Sequence, residues 1–178
     1  MLGNLYFYSG TGWFSKSIKF FTRSELTHVA IGVGQLPNIP SELVFESYLT
    51  QQIDLIGEPI SEFKINATDK LKGTVLHDQI IQYNKKGYGW GQLIWFMFRY
   101  LMETKFMQFF FKKDMRTRNN WIKGDKICSE LAMRFILEVC LDVAPKIYQD
   151  YLDSKWKIDS LHPQDVYEFC EKYFEKVK

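Results

Sequence analysis

The chain has 178 residues, of which 46% are apolar and 25% are charged, and its formal net charge is +2. This size fits one domain, and the apolar content excludes a disordered chain. The nearly balanced charge gives no chain-wide basis for binding nucleic acid. The three cysteines contain no CxxC pair, so they indicate neither a structural zinc site nor a disulfide framework. They favour a reduced, intracellular chain.

The first residues carry no basic region followed by a long apolar stretch, so no signal peptide is predicted. The longest unbroken apolar run in the aromatic-rich middle, residues 93–98, is too short to cross a bilayer. We therefore expect a cytoplasmic protein without a transmembrane segment. Release by lysis or packaging in a virion stays open, because a Lys-, Phe- and Tyr-rich composition is compatible with a phage origin. No pattern fixes an oligomeric state.

In chain order, the first prediction is a strand over residues 5–8, closed by the turn sequence SGTG. An amphipathic helix follows, with apolar residues at helical spacing: Trp13, Phe14, Ile18 and Phe21. THVAIGVG then alternates as a strand does, with Thr27, Val29, Ile31 and Val33 on one face and His28, Ala30 and Gly32 on the other. Because the second face is small apart from His28, we expect the start of a helix to approach it.

Two prolines in QLPNIPS end this strand, and LVFES resumes the alternation with Val44 and Glu46 on one face. If the two strands pair antiparallel, His28 and Glu46 point the same way. QQIDL and SEFKIN are further strand candidates, with GEP as the turn between them. A helix then starts after the cap residue Thr68 and ends at Gly87, with Leu71, Val75, Leu76, Ile80 and Tyr83 as its apolar positions.

The segment around 90–123 is helical in pattern, first aromatic and then basic. Residues 105–126 hold seven basic side chains (Lys105, Lys112, Lys113, Arg116, Arg118, Lys123, Lys126) against two acidic ones (Asp114, Asp125). Three interpretations are open: core packed over the sheet, a wall of an acyl-chain or peptide pocket, or a peripheral contact with anionic membrane. A nucleic-acid patch is the weakest reading, since no motif accompanies it.

The last third predicts helices. Asp125 is a candidate cap for a helix whose inner stripe is Cys128, Ala132, Phe135, Ile136, Val139 and Val143. HPQDVYEFCEKYF predicts a closing helix with Pro163 at its start and Val166, Phe169, Cys170 and Phe174 facing inward. Strands followed by helices, within one domain spanning residues 1–178, indicate an α+β fold.

Cys128 has two interpretations. A thiol in the first turn of a helix faces unpaired backbone N–H groups and the positive end of the helix dipole, which favour the thiolate. A free cysteine on an apolar stripe is, however, usually part of the core. A nucleophilic cysteine needs a base and a group that orients the base. His77 lies on a polar stretch and His162 precedes Pro163 as a cap, which leaves His28 with Glu46.

A strand histidine, a strand acid and a helix-start cysteine in this order resemble the circularly permuted NlpC/P60 proteins, papain-like thiol hydrolases of the YaeF and YiiX type. The resemblance rests on FFTRSELTHVAIGVG, VFES, GYGWGQL and ICSEL, with HPQDV as a weaker match. It implies a permuted papain-like fold, an antiparallel sheet packed against the helix that bears the cysteine. The family's Gly-Asp start is replaced here by Gly3-Asn4.

The resemblance also implies roles. Cys128 would be the nucleophile, His28 the base, Glu46 the orienting residue and Tyr88 a substrate-binding residue, with no metal or organic cofactor. The expected reaction is hydrolysis of an amide or peptide bond, such as a cell-wall peptide, through an acyl-enzyme. One alternative is a thiol-dependent acyltransferase or esterase that acts on a lipid-like substrate at a membrane surface. Another is an inactive binding module on the same fold.

Overall fold

The computed structural model describes residues 1–22, 24–35, 42–47, 51–55, 57–83, 127–154, 156, 158 and 161–178. Within these ranges lie the strands β1 (Leu5–Tyr8), β2 (His28–Gln35), β3 (Glu42–Ser47), β4 (Gln51–Leu55), β5 (Ser61–Lys64) and β6 (Glu175–Lys176). The helices are α1 (Trp13–Thr22), α2 (Asp69–Tyr83), α3 (Cys128–Val143), α4 (Pro145–Leu152) and α5 (Pro163–Tyr173). The fold class is α+β, which confirms that prediction.

The six strands form one antiparallel sheet in the order β4-β3-β2-β1-β5-β6. The pairing of β2 with β3 confirms the antiparallel arrangement expected for the histidine and glutamate strands. The GEP stretch is not a hairpin turn, because β4 pairs with β3 whereas β5 pairs with β1, in the other half of the sheet. The edge strand β6 is too short for a periodic pattern to predict it.

A bulge interrupts the β2–β3 register between Gly32 and Gly34, and Gly34 has a φ of 107°. That backbone conformation is strained for residues with a side chain, which explains a glycine there. On the other side of the bulge Ile31 pairs with Phe45, so the region that leads to His28 and Glu46 is regular.

Helix α3 lies at the centre of the core. It packs on β2 and β3 and contacts α2, α4 and α5. The sheet face beneath the helices supplies Leu5, Phe7, Val29, Ile31, Phe45 and Phe63, all buried. Burying a side chain of this size stabilises a fold by about 1.5–3 kcal/mol. The start of α3 is therefore held against the sheet by apolar packing along the whole helix.

The first residue of α3, Cys128, interacts with His28 as expected for the start of a helix, but the rest of the helix does not pack on the small face of β2. Ala30 packs with Tyr6 and Val44 in a separate small cluster, and a Cβ on Gly32 would collide with the Met1 carbonyl oxygen. The helix packs instead on the large residues of the opposite face, because these supply the apolar area that its own stripe needs to cover.

Two predicted inward positions are wrong. Trp13, the first residue of α1, is 82% exposed, and Val143, the last residue of α3, is also exposed. Both residues lie at a helix end. There the apolar pattern of the sequence extends past the part of the helix that packs on the core. Thr68 does cap α2, since its hydroxyl accepts the Leu71 N–H at 3.3 Å. The end of α2 expected at Gly87 and the segment 90–123 lie outside the described residues.

In the part of the chain that the structure describes, no helix has the length and apolar content needed to cross a membrane.

Candidate functional site

The turn that delivers His28 is fixed by two hydroxyl side chains. Ser24 Oγ accepts the Leu26 N–H at 2.9 Å and donates to Gln164 Oε1 on α5 at 3.0 Å. Thr27 Oγ1 accepts the Gly10 N–H at 2.9 Å, and the Thr27 N–H donates to the Tyr8 carbonyl at 2.9 Å. These bonds tie the start of β2 to β1 and to the last helix. His28 therefore starts its strand from a backbone that is held on both sides.

His28 and Glu46 are joined directly. Since Phe45 pairs with Ile31, the antiparallel register puts Glu46 on the same sheet face as His28 and diagonal to it. His28 Nε2 lies 2.8 Å from Glu46 Oε2, and both side chains are mostly buried. An ionised carboxylate can only accept, so Nε2 carries the proton. Glu46 thereby selects one tautomer and leaves Nδ1 as the nitrogen that can serve the thiol.

Cys128 is the first residue of α3, preceded by Ile127 as N-cap with extended backbone angles of φ −86° and ψ 160°. The proposed cap Asp125 stands two residues too early for that position, which corrects the prediction, and it lies outside the described residues. Ser129 Oγ donates to the Leu161 carbonyl at 2.7 Å and anchors this first turn. The thiol thus lies in the first turn of a 16-residue helix, where the backbone N–H groups have no partner within the helix.

The Cys128 and His28 side chains interact. Burial acts to lower the pKa of His28, but hydrogen bonding to and charge on Cys128, followed by the same contributions from Glu46, outweigh it and raise the pKa to about 10. The ordinary value for histidine is 6.5. The imidazolium form of His28 is therefore favoured at neutral pH. An imidazole that interacts with a cysteine side chain is the arrangement that an activated thiol requires.

The remaining histidines and cysteines lie elsewhere. His77 is exposed on α2, as its polar surroundings suggest, and His162 is the N-cap of α5, where its N–H donates to Asp165 Oδ2 at 2.9 Å. Cys140 and Cys170 are buried, and burial raises the pKa of both thiols, that of Cys140 to about 11. The sequence-predicted trio of Cys128, His28 and Glu46 is thus brought together, apart from every other histidine and cysteine.

Two neighbours of the trio escaped sequence reasoning. Glu130, in the first turn of α3, is fully buried, and its Oε1 accepts hydrogen bonds from Arg134 Nε at 3.1 Å and Nη2 at 2.9 Å. Arg134 thus forms an ion pair with the buried Glu130 side chain along α3. Tyr8 on β1 lies against His28, with ring centroids 5.8 Å apart. The i, i+4 spacing of Glu130 and Arg134 was the signal in the sequence for the ion pair. For the contact between Tyr8 and His28, the signal was the pairing of their strands.

Tyr88, the predicted substrate-binding residue, lies outside the described residues. Among the residues that are described, no group of three or more His, Cys, Asp or Glu side chains is placed to hold a metal ion.

No family model matches the chain, and no curated protein matches it at a significant level. The resemblance to permuted NlpC/P60 proteins thus stays a prediction, and the site is interpreted from its own geometry.

Proposed function

We propose that the protein is a cysteine hydrolase in which Cys128 is the nucleophile, His28 the general base and Glu46 the residue that orients the base. One observation carries the proposal: the carboxylate bonds Nε2 of His28 at 2.8 Å while the same imidazole interacts with the thiol at the start of α3. An acid, a base and a nucleophile in hydrogen-bonded order form the arrangement that thiol hydrolases use.

The mechanism follows from the protonation states. The Cys128 thiolate attacks a carbonyl carbon, and the C=O electron pair moves to the oxygen, which backbone N–H groups of the first turn of α3 stabilise. The intermediate collapses, the C–N bond breaks, and His28 Nδ1–H protonates the leaving amine. Water then gives a proton to Nδ1 and attacks the thioester. The acid leaves, and the thiolate and imidazolium are restored.

The fold that we propose is the permuted papain-like arrangement of the NlpC/P60 type. It is supported by the order along the chain, with the histidine strand before the cysteine helix, and by the antiparallel sheet against which that helix packs. The proposed substrate class is an amide or peptide, with cell-wall peptide as the example that the family resemblance favours.

A second candidate is acyl transfer or ester hydrolysis on a lipid-like substrate at a membrane surface. The observation in its favour is on α1, which joins the strand of Tyr8 to that of His28. Its Trp13 and Phe20 side chains are 82% and 68% exposed, and Lys16 between them is exposed too. Exposed aromatics next to a cation suit the interface of an anionic bilayer. Co-sedimentation with anionic vesicles, compared between the wild type and Trp13→Ala, separates this candidate from a peptide hydrolase.

The first experiment is alkylation of the native protein by iodoacetamide as a function of pH, with the modified cysteines identified by peptide mass spectrometry. Cys128 should react fast at pH values below about 8.5, the ordinary pKa of a free thiol. His28→Ala should slow that reaction by about 100-fold, since general bases contribute on this scale or above.

Two internal controls are in the chain. Cys140 and Cys170 are buried without an imidazole and should react slowly in every variant, and His77→Ala removes an exposed histidine and should change nothing. If Cys128 reacts no faster than Cys140, or reacts equally fast without His28, the hydrolase proposal is wrong. The protein would then be studied as a binding module on this fold.

A further inference from the structure

Three side chains form a row across neighbouring strands. Tyr8 on β1 pairs directly with His28 on β2, and Glu46 on β3 bonds the other side of the imidazole. Directly paired residues of antiparallel strands point to the same face and lie within side-chain contact. His28 is therefore flanked on its strand-β1 side by an aromatic ring and on its strand-β3 side by a carboxylate.

The Tyr8 ring is placed to restrict the imidazole. The two ring centroids are 5.8 Å apart with their planes tilted by 37°. Tyr8 itself packs on the small cluster of Tyr6, Ala30 and Val44, so it is supported from below. The Glu46 bond fixes one nitrogen of the ring, but a single hydrogen bond still allows the imidazole to tilt about it. A ring packed beside the imidazole limits that motion.

The Tyr8 hydroxyl has no evident structural role. Its oxygen is buried beside the backbone of Gly57 without a well-formed hydrogen bond in the described part of the chain. A buried tyrosine hydroxyl usually finds a partner, and an unsatisfied one costs stability. In the described part of the chain, Tyr8 therefore contacts His28 through its ring, whereas its hydroxyl lies by the backbone of Gly57.

We propose that Tyr8 is a positioning residue that acts through its ring: it holds the His28 imidazole so that Nδ1 stays directed at the Cys128 thiol while Nε2 is bound to Glu46. The inference rests on the proposed hydrolase function, which it deepens by adding a fourth side chain to the site. Its contribution is geometric, because a base that moves out of hydrogen-bond distance of the thiol can no longer accept the thiol proton.

The test compares Tyr8→Ala with Tyr8→Phe. The alanine variant removes the ring and should lower the alkylation rate of Cys128 at neutral pH by about tenfold, the scale of an aromatic pair contact. The phenylalanine variant keeps the ring and should restore the rate to within about twofold of the wild type. Tyr173→Ala, which removes another partly buried aromatic ring, one that packs on Phe169 in helix α5, is the matched control for a general loss of packing.

A second readout does not depend on the thiol. The imidazole NMR signals of His28 should be sharp and of one tautomer in the wild type and in Tyr8→Phe, and broadened or mixed in Tyr8→Ala. If Tyr8→Ala does not fold, Tyr8→Leu takes its place, since leucine fills volume without presenting a flat ring.

The outcomes separate the two proposals. A wild-type Cys128 no more reactive than Cys140 contradicts the hydrolase function, and the NMR signals alone then decide whether Tyr8 orders the imidazole. An activated Cys128 that is unchanged in Tyr8→Ala overturns the positioning role only. Equal losses in Tyr8→Phe and Tyr8→Ala would assign the effect to the hydroxyl, and an equal loss in Tyr173→Ala would assign it to folding; either result overturns the inference.

Discussion

Helix α3 carries two buried cysteines whose surroundings differ. Cys128, at its start, is 4% exposed, and Cys140, further along, is 1% exposed. The first interacts with an imidazole that a carboxylate holds, whereas apolar burial raises the pKa of the second to about 11. Burial is nearly the same in both places, so it does not distinguish the chemistry of the two thiols. Their polar neighbours do.

The strongest way to break this comparison is to remove each thiol in turn. The substrate is an activated ester such as p-nitrophenyl acetate. Cys128→Ala removes the nucleophile and His28→Ala removes the base, so each variant should lower the rate of ester hydrolysis by about 100-fold or more. Acetylation of the residue at position 128, read by mass spectrometry, identifies the acyl-enzyme.

Cys140→Ala and Cys170→Ala are the matched controls and should leave the rate within about twofold. Far-ultraviolet circular dichroism shows whether each variant is folded. If all three cysteine variants lose the activity equally while remaining folded, the difference between the two regions of the helix has no catalytic meaning.

Glu46→Gln tests whether the carboxylate that bonds His28 contributes to the difference between the two cysteines. Glutamine keeps the shape and a hydrogen-bonding oxygen but removes the charge, so the imidazolium loses a charged partner worth about 1.5–3 kcal/mol. The ester rate and the alkylation rate of Cys128 should fall by about 10- to 100-fold. Glu62→Gln, a change of the same kind on strand β5, which β2 and β1 separate from the strand of Glu46, should leave both rates unaltered; a similar loss there would contradict a specific role for Glu46.

Cysteine-to-serine substitutions at positions 128 and 140 test the difference between the two surroundings through the free energy of unfolding. Among the described residues, the surroundings of Cys140 are the apolar core and the Cys170 thiol, so a hydroxyl there should lower the free energy of unfolding by about 1–3 kcal/mol in Cys140→Ser. Cys128→Ser should cost less, because the hydroxyl can bond His28. Urea unfolding of both variants measures the difference. A larger loss at position 128 than at position 140 would show that the two surroundings have been misread.

The smallest effect is a gradual dependence on pH. Since the pKa of His28 is higher in the folded state than the unfolded value of 6.5, its contribution to stability is fully present below about pH 6.5 and is lost as the pH rises to about 10. Among the described residues, Cys128, Glu46 and Tyr8 face the imidazole. The unfolding free energy of the wild type minus that of His28→Gln should therefore decrease between about pH 6.5 and pH 10. In the Cys128→Ser background this pH range should be narrower.

Much of the sheet could be predicted from local patterns. The bounds of β1 and β4 agree with the predicted ones, because strand alternation and turn residues are local signals. The position of β5 beside β1, the edge strand β6 and the face on which α3 packs were missed. Each depends on contacts between residues far apart in the chain, which local periodicity does not record.

For the site, the residue types and their order were sufficient to select His28, Glu46 and Cys128, and the structure brings them together. Their catalytic roles stay predictions. Tyr8 was missed because its partner lies twenty residues away (28 − 8 = 20) on a paired strand, and nothing in the LYFY sequence marks it. The Asp125 cap was wrong because capping preferences are weak where tertiary packing fixes the start of a helix.

The contact between His28 and Cys128 joins residues one hundred positions apart (128 − 28 = 100), one at the start of a strand and the other on a helix near the end of the chain. During synthesis, the amino-terminal half leaves the ribosome with its imidazole and carboxylate long before the cysteine follows. A contact of such sequence separation also forms late, because it closes a long loop. A nascent or partly degraded chain therefore lacks the contact between Cys128 and His28, and any reactivity that depends on this contact begins only when folding is complete.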